Sequence, residues 1–253
     1  MVLRIFGILM GIFLLSAICM AEETEYFDWK GSNLYASKNY TGSLVYFEKA
    51  LAQDAGYVDS WVHKGDAQRA LKDYNASLQS YNSALQIDAK KAAAWSGVTE
   101  AFTAMKDYAN ASAAAAKATE IDGSKGNWLR EGNLLQLQGK YQEAIAKFDS
   151  AIAIDPLYKD AIYKKGVMLM VQGSYVEAIK LFDQVTEIDP KYKQAFVAKG
   201  IALQANGKTV EAQQAYDQAL EIDPAYGSAQ INKMQSLLAL KKPNEAMEIF
   251  VKL

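Results

Sequence analysis

The stretch Phe148–Pro156, FDSAIAIDP, recurs 34 residues later as Phe182–Pro190, FDQVTEIDP, and after another 34 residues as Tyr216–Pro224, YDQALEIDP. In each copy an aromatic residue is followed three positions later by Ala or Val and then by Ile-Asp-Pro. A fixed period of this length is typical of repeat proteins. The period therefore divides the sequence into units of about 34 residues.

The residues upstream of each copy also repeat at fixed offsets. A glycine lies 16 residues before the aromatic residue and an alanine lies four before it, as in Gly132 and Ala144 before Phe148. Apolar residues recur three and four apart in two runs separated by short turns such as Gly-Lys-Tyr or Lys-Asp-Tyr. This pattern predicts two amphipathic helices per unit, and the proline after Ile-Asp ends the second one. Extended in both directions, the frame gives seven units.

These offsets place Trp128, Gly132, Leu135, Tyr141, Ala144, Phe148, Ala151 and Pro156 in one unit, and with them the sequence resembles the tetratricopeptide repeat family. The resemblance covers nearly all of residues 22–253. It implies an all-α, right-handed superhelical solenoid of about seven helix-turn-helix hairpins with a concave inner surface that binds proteins. The units lie near 24–57, 58–91, 92–124, 125–158, 159–192, 193–226 and 227–253.

Composition argues against catalysis, metal binding and nucleic-acid binding. The net charge is −2, whereas phosphate binding needs a basic excess. The only cysteine is Cys19, and the only histidine, His63, is predicted to be exposed to solvent without a catalytic role. Since the carboxylates are predicted to solvate helix faces singly, we expect no enzyme activity, no cofactor and no metal site.

The first 21 residues read as a leader. Arg4 precedes an uncharged run from Ile5 to Ala21, and acidic residues begin at Glu22. This layout predicts a signal peptide or an N-terminal membrane anchor over residues 1–21 and an extracytoplasmic location for the repeats, whether secreted, periplasmic or at the cell surface. A run of 17 residues is slightly short for crossing the bilayer core, so both forms of the leader stay open.

The resemblance also implies a binding surface. Family members bind partners along the first helices, and in the C-terminal half the matching positions are mostly apolar. We therefore predict a peptide or helix of a partner protein bound there, with no nucleic acid among the partners. The predicted contact residues are Tyr163, Val167, Met170, Val171, Val197, Ile201, Gln204, Ile231 and Leu238.

Three Asn-x-Ser/Thr sequons, at Asn39, Asn75 and Asn110, fall at the turn into the second helix of the first three units. They are candidate glycosylation sites, although Asn also serves there as a helix cap. The third unit has an alanine run and a shortened link, which predicts a hinge near residues 121–126. Apolar residues in the last helix predict self-association through the C-terminal end.

The sequence therefore predicts an extracytoplasmic protein-interaction scaffold. Two alternatives stay open. The chain is a self-assembling structural or envelope-assembly component, or it is a membrane-anchored adaptor with cytoplasmic repeats. The partner's identity does not follow from the sequence.

Overall fold

The computed structural model describes residues 21–250, so the predicted leader lies outside the described residues apart from Ala21. The described residues form 14 helices and no strand, which confirms the all-α fold and the seven hairpins. In chain order the helices are α1 (21–36), α2 (Tyr40–Gln53), α3 (Val58–Ala70), α4 (Tyr74–Ile87), α5 (Ala92–Ala104), α6 (Tyr108–Ile121), α7 (Lys125–Leu137), α8 (Tyr141–Ile154), α9 (Lys159–Val171), α10 (Tyr175–Ile188), α11 (Lys193–Ala205), α12 (Thr209–Ile222), α13 (Gly227–Ala239) and α14 (Pro243–Phe250). Odd-numbered helices are the first and even-numbered helices the second members of the hairpins.

Five of the seven hairpins close around a buried aromatic residue of their second helix, while the third has Ala115 at this position and Phe250 of the last is exposed. Phe148, Phe182 and Tyr216 are fully buried. A Cβ added to Gly166 would lie 2.7 Å from Cε1 of Phe182, so the repeated glycine makes room for the aromatic ring. The sequence led us to expect close approach of the two helices at this glycine. In the structure the edge of the Phe182 ring occupies the space that a Cβ would fill. Alanines such as Ala178 are fully buried in the same contact.

The hairpins form two compact units, which divide between Gly123 and Ser124. Unit 1 holds the hairpins from α1 to α6, and unit 2 holds those from α7 to α14. Within unit 2 each first helix contacts the next, from α7 through α9 and α11 to α13, and in unit 1 α3 contacts α5. The first helices of unit 2 therefore form one continuous layer, and the division falls inside the segment predicted as a hinge.

The turns inside the hairpins differ between the two units. In unit 1 the residue with positive φ is a lysine, at Lys38, Lys72 and Lys106, whereas the first three hairpins of unit 2 use glycine. The next residue in unit 1 is Asn or Asp, and its side chain caps the second helix, as when Asp73 Oδ1 accepts from the amide of Ala76 at 3.1 Å. The corresponding residues Lys140, Ser174 and Lys208 make no side-chain cap. Favourable caps in unit 1 thus accompany unfavourable turn residues.

Unit 2 contains a series of ion pairs that the sequence analysis did not predict. Lys125, at the start of α7, contacts the carboxylate of Asp155 after α8 at 2.6 Å, and Lys159 and Lys193 contact Asp189 and Asp223 in the same way. Another series joins adjacent hairpins, as in Lys165 with Asp149. The expectation that the carboxylates solvate helix faces singly is therefore wrong for these residues.

Candidate functional site

The structure sorts the nine predicted contact residues by exposure. Val171, Leu238 and Ile231 are 54%, 52% and 44% exposed. Tyr163, Val167, Met170, Ile201 and Gln204 are partly buried. Val197 is only 4% exposed and belongs to the core around Phe196 and Tyr216. Val197 is therefore a packing residue, and the other eight form what we name the first-helix surface of unit 2.

The partly buried members of this surface also pack against their own hairpins. The ring of Tyr163 lies 5.9 Å from that of Phe182 and 5.4 Å from that of Tyr192, measured between centroids, and its burial raises the pKa of its hydroxyl. Met170 packs against the cluster that contains Phe182 and Ala198. These side chains therefore expose one edge while stabilising the fold, and their apolar character alone is no sign of a ligand.

Gln204 is held differently. Tyr216 donates its hydroxyl to Gln204 Oε1 at 3.3 Å, and burial raises the pKa of Tyr216 to about 12. Because the tyrosine stays protonated, this oxygen is occupied and the amide NH₂ group is the part of Gln204 that can turn to a partner.

A crevice in the last hairpin is lined by apolar residues of which only Leu238 was among the predicted contact residues. It has a volume of about 260 Å³ and lies between α13 and α14. Its lining is wholly apolar and includes Leu238, and Met247 and Phe250 are 59% and 61% exposed. The signal in the sequence was the apolar content of α14, which the sequence analysis assigned to self-association.

The three candidate glycosylation asparagines are exposed at the start of second helices. Asn39 caps α2, since its Oδ1 accepts from the amide of Gly42 at 3.0 Å. Asn110 donates its Nδ2 to Asp107 Oδ2 at 2.7 Å. Both asparagines make hydrogen bonds at the start of a helix, so their presence has a structural explanation. Glycosylation of the three sequons stays a prediction.

The described residues contain neither a membrane-spanning helix nor a cluster of metal ligands. Within residues 21–250 no helix combines the length and hydropathy needed to cross a bilayer. Over the same range no group of three or more His, Cys, Asp or Glu side chains is arranged to hold a metal ion.

Known structures share the fold. The tetratricopeptide repeat protein YrrB, which has an unusual peptide-binding site, is 22% identical, with a TM-score of 0.62 over 74% of this chain and 97% of its own. MamA is 23% identical, with a TM-score of 0.61 over 66% and 92% of the two chains. Pseudomonas aeruginosa pilF is 14% identical, with a TM-score of 0.73 over 85% and 99%. At these identities the likeness shows the fold alone.

Family models give the assignment. No curated protein sequence matches the chain. Three tetratricopeptide repeat models match residues 58–91, 129–193 and 203–253, which together make up more than half of the chain. With the glycine-on-aromatic hairpins and the layer of first helices in unit 2, these matches identify the chain as a member of the tetratricopeptide repeat family.

Proposed function

We propose that this chain is an extracytoplasmic interaction scaffold that binds an apolar helix or extended segment of a partner protein along the first-helix surface of unit 2. Tetratricopeptide repeat proteins are generally protein-interaction scaffolds. The observation that carries the proposal is the exposure of Val171 on α9 and of Ile231 and Leu238 on α13, two helices of one layer.

The chemistry of the surface favours an apolar ligand. Its members are mostly Val, Ile, Leu, Met and Tyr, and they carry no charge. Because Val171, Ile231 and Leu238 are about half exposed, burying the rest of each side chain would contribute about 1–1.5 kcal/mol. Micromolar affinity, about −8 kcal/mol, therefore also requires contacts with the partly buried members of the surface. Unbranched Met170 can also adapt its shape to different ligands.

The extracytoplasmic location rests on the leader pattern of residues 1–21. A reporter that is active only outside the cytoplasm, fused after Leu253, tests it. Activity of this reporter supports the proposal, whereas a reporter that is active only inside would favour the cytoplasmic adaptor.

The binding surface is tested with two exposed positions. Met170 and Ile201 are poor choices because both pack against the core. We expect Val171→Asp with Leu238→Asp to abolish recovery of the partner that the wild-type chain captures from envelope extract. Val210→Asp is the matched control, because Val210 is an exposed valine on second helix α12. Equal loss in this control, or full recovery with the double variant, would contradict the proposed surface.

Self-association is a second candidate function, favoured by the apolar crevice between α13 and α14. A second copy that covers Met247 and Phe250 would remove two exposed side chains from water. Sedimentation of the wild type and of Met247→Asp distinguishes the two functions. A dimer that Met247→Asp dissociates supports self-association, and a wild-type monomer at high micromolar concentration excludes it.

A further inference from the structure

A cavity with both apolar and polar lining residues lies between the first two hairpins of unit 1. It has a volume of about 250 Å³ and is lined by Ser32, Tyr35, Phe47, His63 and Asp66. Pockets for drug-sized ligands usually have volumes of about 300–1,000 Å³. This cavity therefore has the size of a single side chain rather than of a free cofactor.

His63 forms one wall; its side chain is 38% exposed, as expected for a surface position, but it is paired with a carboxylate. Its Nδ1 lies 2.9 Å from Asp28 Oδ1, and its ring lies 5.6 Å from that of Phe47. Asp28 is only 7% exposed and also accepts from the hydroxyl of Ser60 at 2.7 Å. The carboxylate of Asp28 is thus fixed behind the imidazole by two neighbours.

Asp66 supplies the charge of the cavity. The hydroxyl of Tyr81 donates to Asp66 Oδ1 at 2.7 Å, and Arg69 Nη2 donates to the same oxygen at 3.3 Å. Burial and the charge of Asp66 raise the pKa of Tyr81, so the tyrosine keeps its proton and cannot neutralise the carboxylate. Among the described contacts both bonds end on Oδ1, so Oδ2 is available to a ligand.

The charge around this carboxylate depends on His63. Arg69 pairs with Asp66, and its Nη1 also contacts Glu100 at 2.9 Å. Asp59 pairs with Lys91, and Asp28 pairs with His63, which is positive only when protonated. At a pH where His63 is neutral, the site has an excess of negative charge.

We propose that this cavity binds an arginine side chain of a partner peptide, with the guanidinium on Asp66 Oδ2 and the planar group against the ring of Tyr35. A guanidinium matches a carboxylate through two parallel donors and stacks on aromatic faces, whereas a lysine ammonium is a compact point charge. A metal ion fits less well, since no group of three ligating side chains is present within residues 21–250.

Protonation of His63 opposes this binding. The charged groups that face the imidazole are Asp28 on α1 and Asp59 and Asp66 on α3, while α2 contributes the ring of Phe47. Burial lowers the pKa of His63, but the hydrogen bond to Asp28 and these three carboxylates raise it more. An arginine keeps its charge at every pH of interest. Its affinity should therefore rise as the pH increases through the raised pKa of His63.

The test uses the full-length chain and two short peptides of one sequence, one with a central arginine and the other with citrulline, which has the same shape without the charge. Nuclear magnetic resonance titration should shift the signals of Tyr35 and His63, and the arginine peptide should bind at least tenfold more tightly. Binding should strengthen between pH 6 and pH 9. Equal affinity for citrulline, or shifts confined to unit 2, would overturn the proposal.

Variants locate the contact. Asp66→Asn keeps an oxygen for the Tyr81 hydroxyl but removes the charge, so the affinity for the arginine peptide should fall to that for citrulline. Glu177→Gln makes the same change at an exposed position of α10 and should have no effect. Ser32→Leu adds apolar bulk to the cavity wall without altering charge and should also weaken binding. If Asp66→Asn binds like the wild type, the cavity is not the site.

Discussion

The turns of unit 1 place lysine in the left-handed backbone region, and replacing these lysines measures how much that conformation lowers the free energy of unfolding. Lys72 and Lys106 have φ values of 66° and 62°, in the left-handed region, whereas Gly173 at the equivalent turn of unit 2 has 82°. Lys72 lies on the surface, and its amide donates to the carbonyl of Arg69 at 2.9 Å, a bond that glycine also makes. Replacing Lys72 by glycine therefore changes the backbone preference with little effect on packing.

The expected gain is a difference between two opposing effects. A residue with a Cβ in the left-handed region costs roughly 1–2 kcal/mol. Glycine costs about 0.5–1 kcal/mol more than alanine in chain entropy. The net gain is then about 0.5–1 kcal/mol per turn, and Lys38→Gly, Lys72→Gly and Lys106→Gly should add because the turns are well separated. The triple variant should gain roughly 1.5–3 kcal/mol.

The reverse substitution is the matched control. A Cβ added to Gly173 meets no atom within 4 Å, so Gly173→Lys introduces the backbone penalty without a clash. Urea unfolding followed by circular dichroism measures both variants. The triple variant should raise the midpoint, and Gly173→Lys should lower it by the equivalent of about 0.5–1 kcal/mol. Destabilisation of the triple variant, or an unchanged Gly173→Lys, would refute the assignment of strain to these turns.

Hydrogen bonds from Lys125, Lys159 and Lys193 lower the pKa of Asp155, Asp189 and Asp223. These ion pairs therefore stabilise the fold above the unfolded pKa of about 4, and this stabilisation is lost as the pH falls through the pKa values of the folded state. The variant with all three aspartates replaced by asparagine should show a smaller fall in unfolding temperature as the pH is lowered. Amide hydrogen exchange should be faster at 121–126 than at the link 189–192, and equal rates would contradict the hinge. The intact mass of the native protein should exceed that of the bare chain if any of Asn39, Asn75 and Asn110 carries a glycan. Asp28→Val combined with Ser60→Ala should leave the unfolding midpoint unchanged or higher, because both partners of a buried hydrogen bond are replaced together.

The sequence predicted the fold because the same packing residues recur at fixed offsets in most of the seven units. Gly166 and Phe182 lie at the same offset as Gly132 and Phe148, and this contact closes both hairpins. Periodicity is also why helix positions were predictable, since every turn signal recurs at a known distance. The lysines with positive φ were not predictable in this way, because Lys72 carries no sequence signal for the left-handed region.

The candidate sites were harder to predict because exposure depends on the neighbouring hairpin. Val197 and Ile231 occupy the same position of their first helices, yet Val197 is in the core and Ile231 is 44% exposed. A single helix pattern cannot distinguish them, because the difference arises from what packs beside each one. The pairing of His63 was missed for the same reason, as its partner Asp28 is 35 residues away.

Asp28 occupies the position that Val62 and Val197 fill in later hairpins. Those valines are buried, and a buried carboxylate is a poor replacement, since desolvation of a charge usually exceeds what a partner returns. Ser60 similarly stands where Ala94, Ala195 and Ala229 lie fully buried, although Asn127 is another polar residue at this position. A chain that needed only stability would place an apolar pair here, as it does with Val62 and Ala94 and with Val197 and Ala229. The polar pair instead fixes His63 beside the cavity, so the departure from the repeat falls where the arginine site is proposed. If the Asp28→Val, Ser60→Ala variant keeps its stability but loses the pH dependence of arginine binding, the contact between Asp28 and Ser60 serves recognition rather than folding.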